Sequence, residues 1–132
     1  MQVKNCTLIK PLSCKESINV VEVARILRDK KQRRIIVVNE NNEPIGIIST
    51  TDINNRVVAK NKNASELKAK DVMTKPIYLT CYINDSLNDI FKKMVEHDSF
   101  FCPVKKDGKL YLKLNWNKRW ITLAGISTVI GL

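Results

Sequence analysis

The sequence predicts an α/β fold built from two copies of one β-α-β-β-α unit, and three observations lead there. A run opening Glu16-Ser17-Ile18-Asn19 is matched sixty-nine positions later by one opening Asp85-Ser86-Leu87-Asn88. Each run carries apolar residues at helical spacing and is followed by a short apolar strand. A chain of 132 residues, 44% of them hydrophobic, is long enough for one core or for two small repeats that share one.

The first copy opens with a lead-in strand that includes Leu12. Val20, Val23, Ala24 and Leu27 then fall on one helical face, with Glu16 and Ser17 in the cap and first-turn positions that helices favour. Ile35-Ile36-Val37-Val38 reads as a buried strand, Asn39 to Glu43 as a polar turn, and Ile45-Gly46-Ile47-Ile48 as the returning strand. A helix from about Thr50 to Lys60 closes the copy, and the polar stretch 61–65 links it to the next. The second copy repeats this order. Its helix presents Ile90, Phe91, Met94 and Val95, its strand is Phe101-Cys102-Pro103-Val104, and its turn, Lys105 to Lys109, contains Asp-Gly. Leu110, Leu112 and Leu114 alternate with Tyr111, Lys113 and Asn115 as in a half-buried strand. Asn115 to Lys118 reads as a further turn and Arg119 to Leu123 as a returning strand. That gives an extended hairpin over about 110–123, some six residues longer than the first when Thr122 is matched to Ser49. A short helix, Ile126 to Leu132, ends the chain. The repeats are thus 1–65 and 66–132, and since neither can bury its sheet alone, the two are expected to pack face to face.

Composition narrows the function less than the repeat does. The 27% charged content and the apolar periodicity exclude a disordered or collagen-like chain. No stretch approaches the ~18 apolar residues of a membrane span. The first residues lack a signal peptide's apolar run, so a cytoplasmic location is expected. A net charge of +10 favours anionic partners: phosphates, nucleic acid or an acidic protein surface. Cys6, Cys14, Cys81 and Cys102 form no C-x-x-C pair, and His97 stands alone at a helix end, so neither a metal site nor a cofactor requirement is expected.

The segment that carries chemistry is Gly46-Ile47-Ile48-Ser49-Thr50-Thr51-Asp52-Ile53, where a buried strand passes straight into a helix. Gly46 removes a side chain where another group must come close. Ser49, Thr50 and Thr51 surround a helix start whose unpaired amides favour an anion. The Asp52 carboxylate can accept two hydrogen bonds from a vicinal diol. Hydroxyls for phosphate and a carboxylate for ribose suit a nucleotide. The same Ser-x-x-Asp spacing is also an ordinary capping arrangement, in which Ser49 and Asp52 serve only the helix.

The two copies resemble cystathionine-beta-synthase (CBS) domains. The resemblance rests on Arg34 to Glu40 with Pro44 to Ile53 in the first copy, and on Lys70 to Pro76 with Met94 to Val104 in the second. It implies a tandem pair, the Bateman module, here as a stand-alone protein with pseudo-twofold symmetry and clefts between the two sheets. Such modules bind AMP, ADP, ATP or S-adenosylmethionine, regulate another protein, and pair into homodimers. By the resemblance Asp52 would hold the ribose, Ser49 with Thr50 or Thr51 would meet phosphate, and Leu12 and Ile47 would flank the adenine. A second site would use Thr122, with Gly125 standing where the ribose carboxylate should be.

An enzyme is not expected, since the sequence holds no nucleophile–base pair and no dinucleotide or P-loop glycine pattern. The alternative is a nucleic-acid-binding protein. Lys105, Lys106, Lys109, Lys113, Lys118 and Arg119 cluster around Tyr111, Trp116 and Trp120, a mixture of charge and aromatic rings that suits a single strand.

Overall fold

β-Branched residues dominate Arg34–Val38, and this run (β2) is the central strand of the first sheet in the computed structural model, which describes residues 1–5, 8–77, 79–97, 99 and 101–115. Two compact units are present: residues 11–78, and residues 1–10 together with 79–132. In the first, β1 (Ser13–Lys15) runs parallel to β2, which pairs antiparallel with β3 (Pro44–Ser49). Helix α1 (Val20–Lys30) buries Val20, Val23 and Leu27 against Ile35, Val37 and Ile48.

Its cap is Asn19, not Ser17. Residues 15–18 are taken up by a turn in which Ile18 N–H donates to the Lys15 carbonyl. The Asn19 carboxamide oxygen then accepts from Val21 N–H at 2.8 Å, while its Nδ2 donates to the Ser65 carbonyl. Helix α2 (Thr50–Ile53) continues as a π-helical stretch, Asn54–Val58, ending two residues short of the expected Lys60. Helix α3 (Ala69–Val72) completes the unit with Ala69 and Val72 in its core.

In the second unit β4 (Cys81–Tyr82) lies parallel to β5 (Phe101–Lys106), which pairs antiparallel with β6 (Lys109–Asn115). Helix α4 (Leu87–Glu96) buries Leu87, Ile90, Phe91 and Met94 against Cys81, Cys102 and Val104. Val95, read from sequence as part of that face, is 42% exposed, because it falls one position past the buried stripe. Ser86 caps α4 without a side-chain hydrogen bond, and the Asp85 carboxylate accepts instead from Tyr82 N–H at 2.8 Å. His97 is the exposed C-cap of α4, as expected. Cys14, Cys81 and Cys102 are free and buried, and burial pushes the Cys14 thiol up to about 11.

Strand register aligns the two hairpins as far as Asn115. β2 and β3 shift register between Val37 and Val38, and β5 and β6 shift at the equivalent place, between Val104 and Lys105. Ser49 lies opposite Arg34, and Asn115 lies opposite Phe101. Fifteen positions separate the first pair and fourteen the second, so the second hairpin is not lengthened up to Asn115. The turn Asp107-Gly108, both residues at positive φ, returns the chain at once and makes Lys109–Asn115 the hairpin's second strand. Asn115, rather than Thr122, is therefore the register counterpart of Ser49. Trp116, Trp120, Thr122, Gly125 and the expected elements Arg119–Leu123 and Ile126–Leu132 lie outside the described residues.

The two units do not follow the halves 1–65 and 66–132, because the lead-in segments are exchanged. Thr74 pairs with Ile47 on the outer edge of β3, donating to its carbonyl at 2.8 Å and accepting from its N–H at 3.1 Å. Ile9 pairs with Lys113 on the outer edge of β6 in the same way, at 3.0 and 2.9 Å. Each sheet edge is thus closed by the segment that precedes the other repeat. Leu8-Ile9-Lys10-Pro11 and Met73-Thr74-Lys75-Pro76 are the matching sequences.

Candidate ligand-binding site

Leu12, Gly46, Ile47, Ser49, Thr50, Thr51 and Asp52 all fall in the unit 11–78. β3 delivers the first hydroxyl at its last residue, and α2 begins at the next. The Ser49 hydroxyl accepts from Asp52 N–H at 3.0 Å, and the Asp52 Oδ2 accepts from Ser49 N–H at 2.9 Å. This is a reciprocal capping box. The ordinary capping arrangement is therefore present, and it occupies one carboxylate oxygen. The other, Oδ1, faces the Arg56 guanidinium at 3.4 Å, and the Asp52 side chain is 17% exposed. Asp52 is thus a half-buried carboxylate with one oxygen committed and one held loosely by a cation.

The amides at the start of α2 are less available than the sequence suggests. Thr50 N–H donates to the Arg33 carbonyl at 3.0 Å, and Asp52 N–H is taken by Ser49. Thr50 and Thr51 are exposed. Thr50 also lines a cavity of about 230 Å³ with Ala24, Leu27, Arg28, Gln32 and Ile53, which Ser49 and Asp52 do not line. Arg33 and Arg34, both exposed, meet this site through the backbone, Arg34 standing opposite Ser49 in the sheet.

Gly46 is explained within the unit. A Cβ there would lie 2.5 Å from the Met73 Sδ, 2.9 Å from its Cγ and 3.0 Å from the Thr74 carbonyl oxygen. The group that comes close is the exchanged lead-in segment. Ile47 is half-buried with its backbone paired to Thr74, and Leu12 packs against the unit's core.

Sequence reasoning missed Arg56 and Thr74. Arg56 stands four residues after Asp52, a spacing at which opposite charges meet on a helix, so that signal was present. Thr74 reaches β3 only through pairing between segments far apart in sequence, for which no local signal exists. Among the described residues, no group of three or more His, Cys, Asp or Glu could hold a metal ion, and no helix is long and apolar enough to cross a membrane.

The CBS domain family model matches residues 3–59 and 69–111. An uncharacterized protein of Methanopyrus kandleri is 36% identical over 91 residues, covering 68% of this chain and 46% of its own. The meiotically up-regulated gene 70 protein of Schizosaccharomyces pombe is 32% identical over 90 residues, 67% of this chain and 12% of its own. The chain thus spans less than half the length of these curated relatives. Among solved structures, a CBS domain protein from Pyrobaculum aerophilum complexed with AMP superposes with a TM-score of 0.77 at 20% identity, over 97% of this chain and 99% of that one. A CBS domain pair in complex with 5′-methylthioadenosine and S-adenosyl-L-methionine gives 0.72 at 21% identity, over 95% and 99%. At such identities these two likenesses concern the fold. With two matched repeats on two three-stranded sheets, the chain belongs to the CBS domain family.

Proposed function

We propose that this chain is a regulatory module that senses an adenosine-containing ligand (AMP, ADP, ATP or S-adenosylmethionine) at the site of its first repeat. The observation that carries this is the Asp52 carboxylate: half-buried, fixed through Oδ2 by the capping box, and with Oδ1 facing the loose Arg56 contact. A ribose diol finds there a pre-oriented charged acceptor. Thr51, exposed and adjacent to Asp52 in the chain, offers a hydroxyl for phosphate. The ligands named for the two CBS-domain structures, AMP and two adenosine thioethers or sulfonium compounds, support an adenosine ligand. In this reading the protein is a sensor rather than a catalyst, and it regulates a partner protein.

Calorimetry with AMP, ADP, ATP, S-adenosylmethionine and an RNA oligonucleotide tests it. One adenosine ligand per chain is expected, since the register counterparts of Ile47 and Ser49 in the second copy are Lys113 and Asn115. Burial also lowers the pKa of the Lys113 ammonium, and this side chain replaces an apolar one. A ligand at a hundred times its Kd stabilises the native state by about 2.7 kcal/mol, which a melting curve reads directly. No binding of any adenosine compound, or two equivalent sites per chain, overturns the reading.

The module is further expected to act as a homodimer. Sedimentation should give twice the 15.1 kDa chain mass, and a monomer at micromolar concentration, with and without AMP, counts against it.

A further inference from the structure

The Arg56 side chain does two things at once. Its Nη1 donates to the Val72 carbonyl at 2.7 Å, and its Nη2 faces the Asp52 Oδ1 at 3.4 Å. The planar guanidinium allows both, because its donors form a fixed fork that an ammonium lacks. The first contact has ordinary hydrogen-bond length, whereas the second is well beyond that of a charge-assisted bond. Arg56 is therefore anchored on the Val72 side and slack on the Asp52 side.

Val72 is followed by the two residues that close β3. The Met73 side chain occupies the space above Gly46, and Thr74 exchanges two backbone hydrogen bonds with Ile47. The chain then continues to Leu79, where the second unit resumes. One side chain thus joins the carboxylate of the candidate site to the segment that leaves this unit.

We propose that Arg56 is a positioning residue that links occupancy of the Asp52 carboxylate to the Val72–Thr74 segment. This rests on the reading of Asp52 as the ribose acceptor, and it adds the route by which binding leaves the site. A diol donating to Oδ1 shares that oxygen with Nη2. The guanidinium must then shift or tighten, and its other arm carries the change to Val72. A plain surface ion pair four residues along a helix would stabilise α2 and leave Thr74 indifferent.

Amide hydrogen exchange separates the two. In the ligand-free protein, Asp52→Asn should quicken exchange at Met73 and Thr74 by about fivefold relative to Val3, whose amide bonds the Asp85 carbonyl in the other unit. The same substitution in an Arg56→Ala background should add nothing. Arg56→Lys keeps the charge without the fork and should match Arg56→Ala at Thr74. With saturating AMP, Thr74 exchange should slow in the parent, while Arg56→Ala should bind AMP without that slowing. The proposal is overturned if Asp52→Asn leaves Thr74 unchanged relative to Val3, if Arg56→Lys behaves as the parent there, or if AMP still slows Thr74 in Arg56→Ala. Failure of AMP to bind the parent sinks the ligand assignment instead, and the ligand-free arm still decides Arg56.

Discussion

Replacing Asp52 by alanine should weaken AMP binding roughly tenfold or more. A hydrogen bond to a charged acceptor contributes about 1.5–3 kcal/mol, and each 1.4 kcal/mol is about a factor of ten in Kd. The capping box complicates the measurement, because the same substitution removes the acceptor for Ser49 N–H. Losing a cap interaction costs about 0.5–2 kcal/mol of stability, so the variant should also melt earlier. Ser49→Ala removes the hydroxyl that accepts from Asp52 N–H but leaves the carboxylate in place, and it serves as the control. It should share the loss of stability and keep the parent's demand for a ribose diol. A second ligand makes the assignment specific. The parent should prefer AMP over 2′-deoxy-AMP, and Asp52→Ala should bind both alike. A folded Asp52→Ala variant that binds AMP as tightly as the parent would remove Asp52 from the site.

The double role of Asp52 was legible in the sequence as an ambiguity. Ser49-x-x-Asp52 specifies a capping box by spacing alone, and the structure forms one. What spacing could not show is that the box uses one oxygen and leaves the other facing Arg56. The secondary elements around it were legible for simple reasons. β2 is a run of β-branched residues, and α1 and α4 carry apolar stripes at helical period. Pairing was not legible. The match of Thr122 to Ser49 followed hydroxyl identity along the sequence, whereas the hairpin is fixed by Asp107-Gly108 and by the shared register shift after Val37 and Val104. The exchange of lead-in segments depends on Thr74 finding Ile47 and Ile9 finding Lys113, contacts that carry no periodic or local mark.

That exchange assigns Gly46 its cost. Gly46→Val should destabilise the protein by about 2–3 kcal/mol, the scale on which extra methyl groups strain a packed core. The first added carbon would meet the Met73 Sδ at 2.5 Å, and a flexible thioether can move away. The Thr74 carbonyl oxygen, at 3.0 Å, cannot do so without disturbing its hydrogen bond to Ile47 N–H. Alanine should therefore be milder, since Met73 yields and the smaller unfolded-state entropy of alanine returns about 0.4–1 kcal/mol. Valine adds two further methyls beside the same backbone and should force the segment off the edge of β3. Met73→Ala supplies the internal check. Alone it costs stability by removing part of the core packing around α3, but it opens the space that the introduced valine would need. The double variant should thus lose less than the sum of the single losses, by about 1 kcal/mol, as residues in direct contact do. Chemical denaturation of the four proteins reads the difference. Strict additivity would mean that the Met73 side chain does not press on the introduced valine, and the strain would then fall to the Thr74 carbonyl.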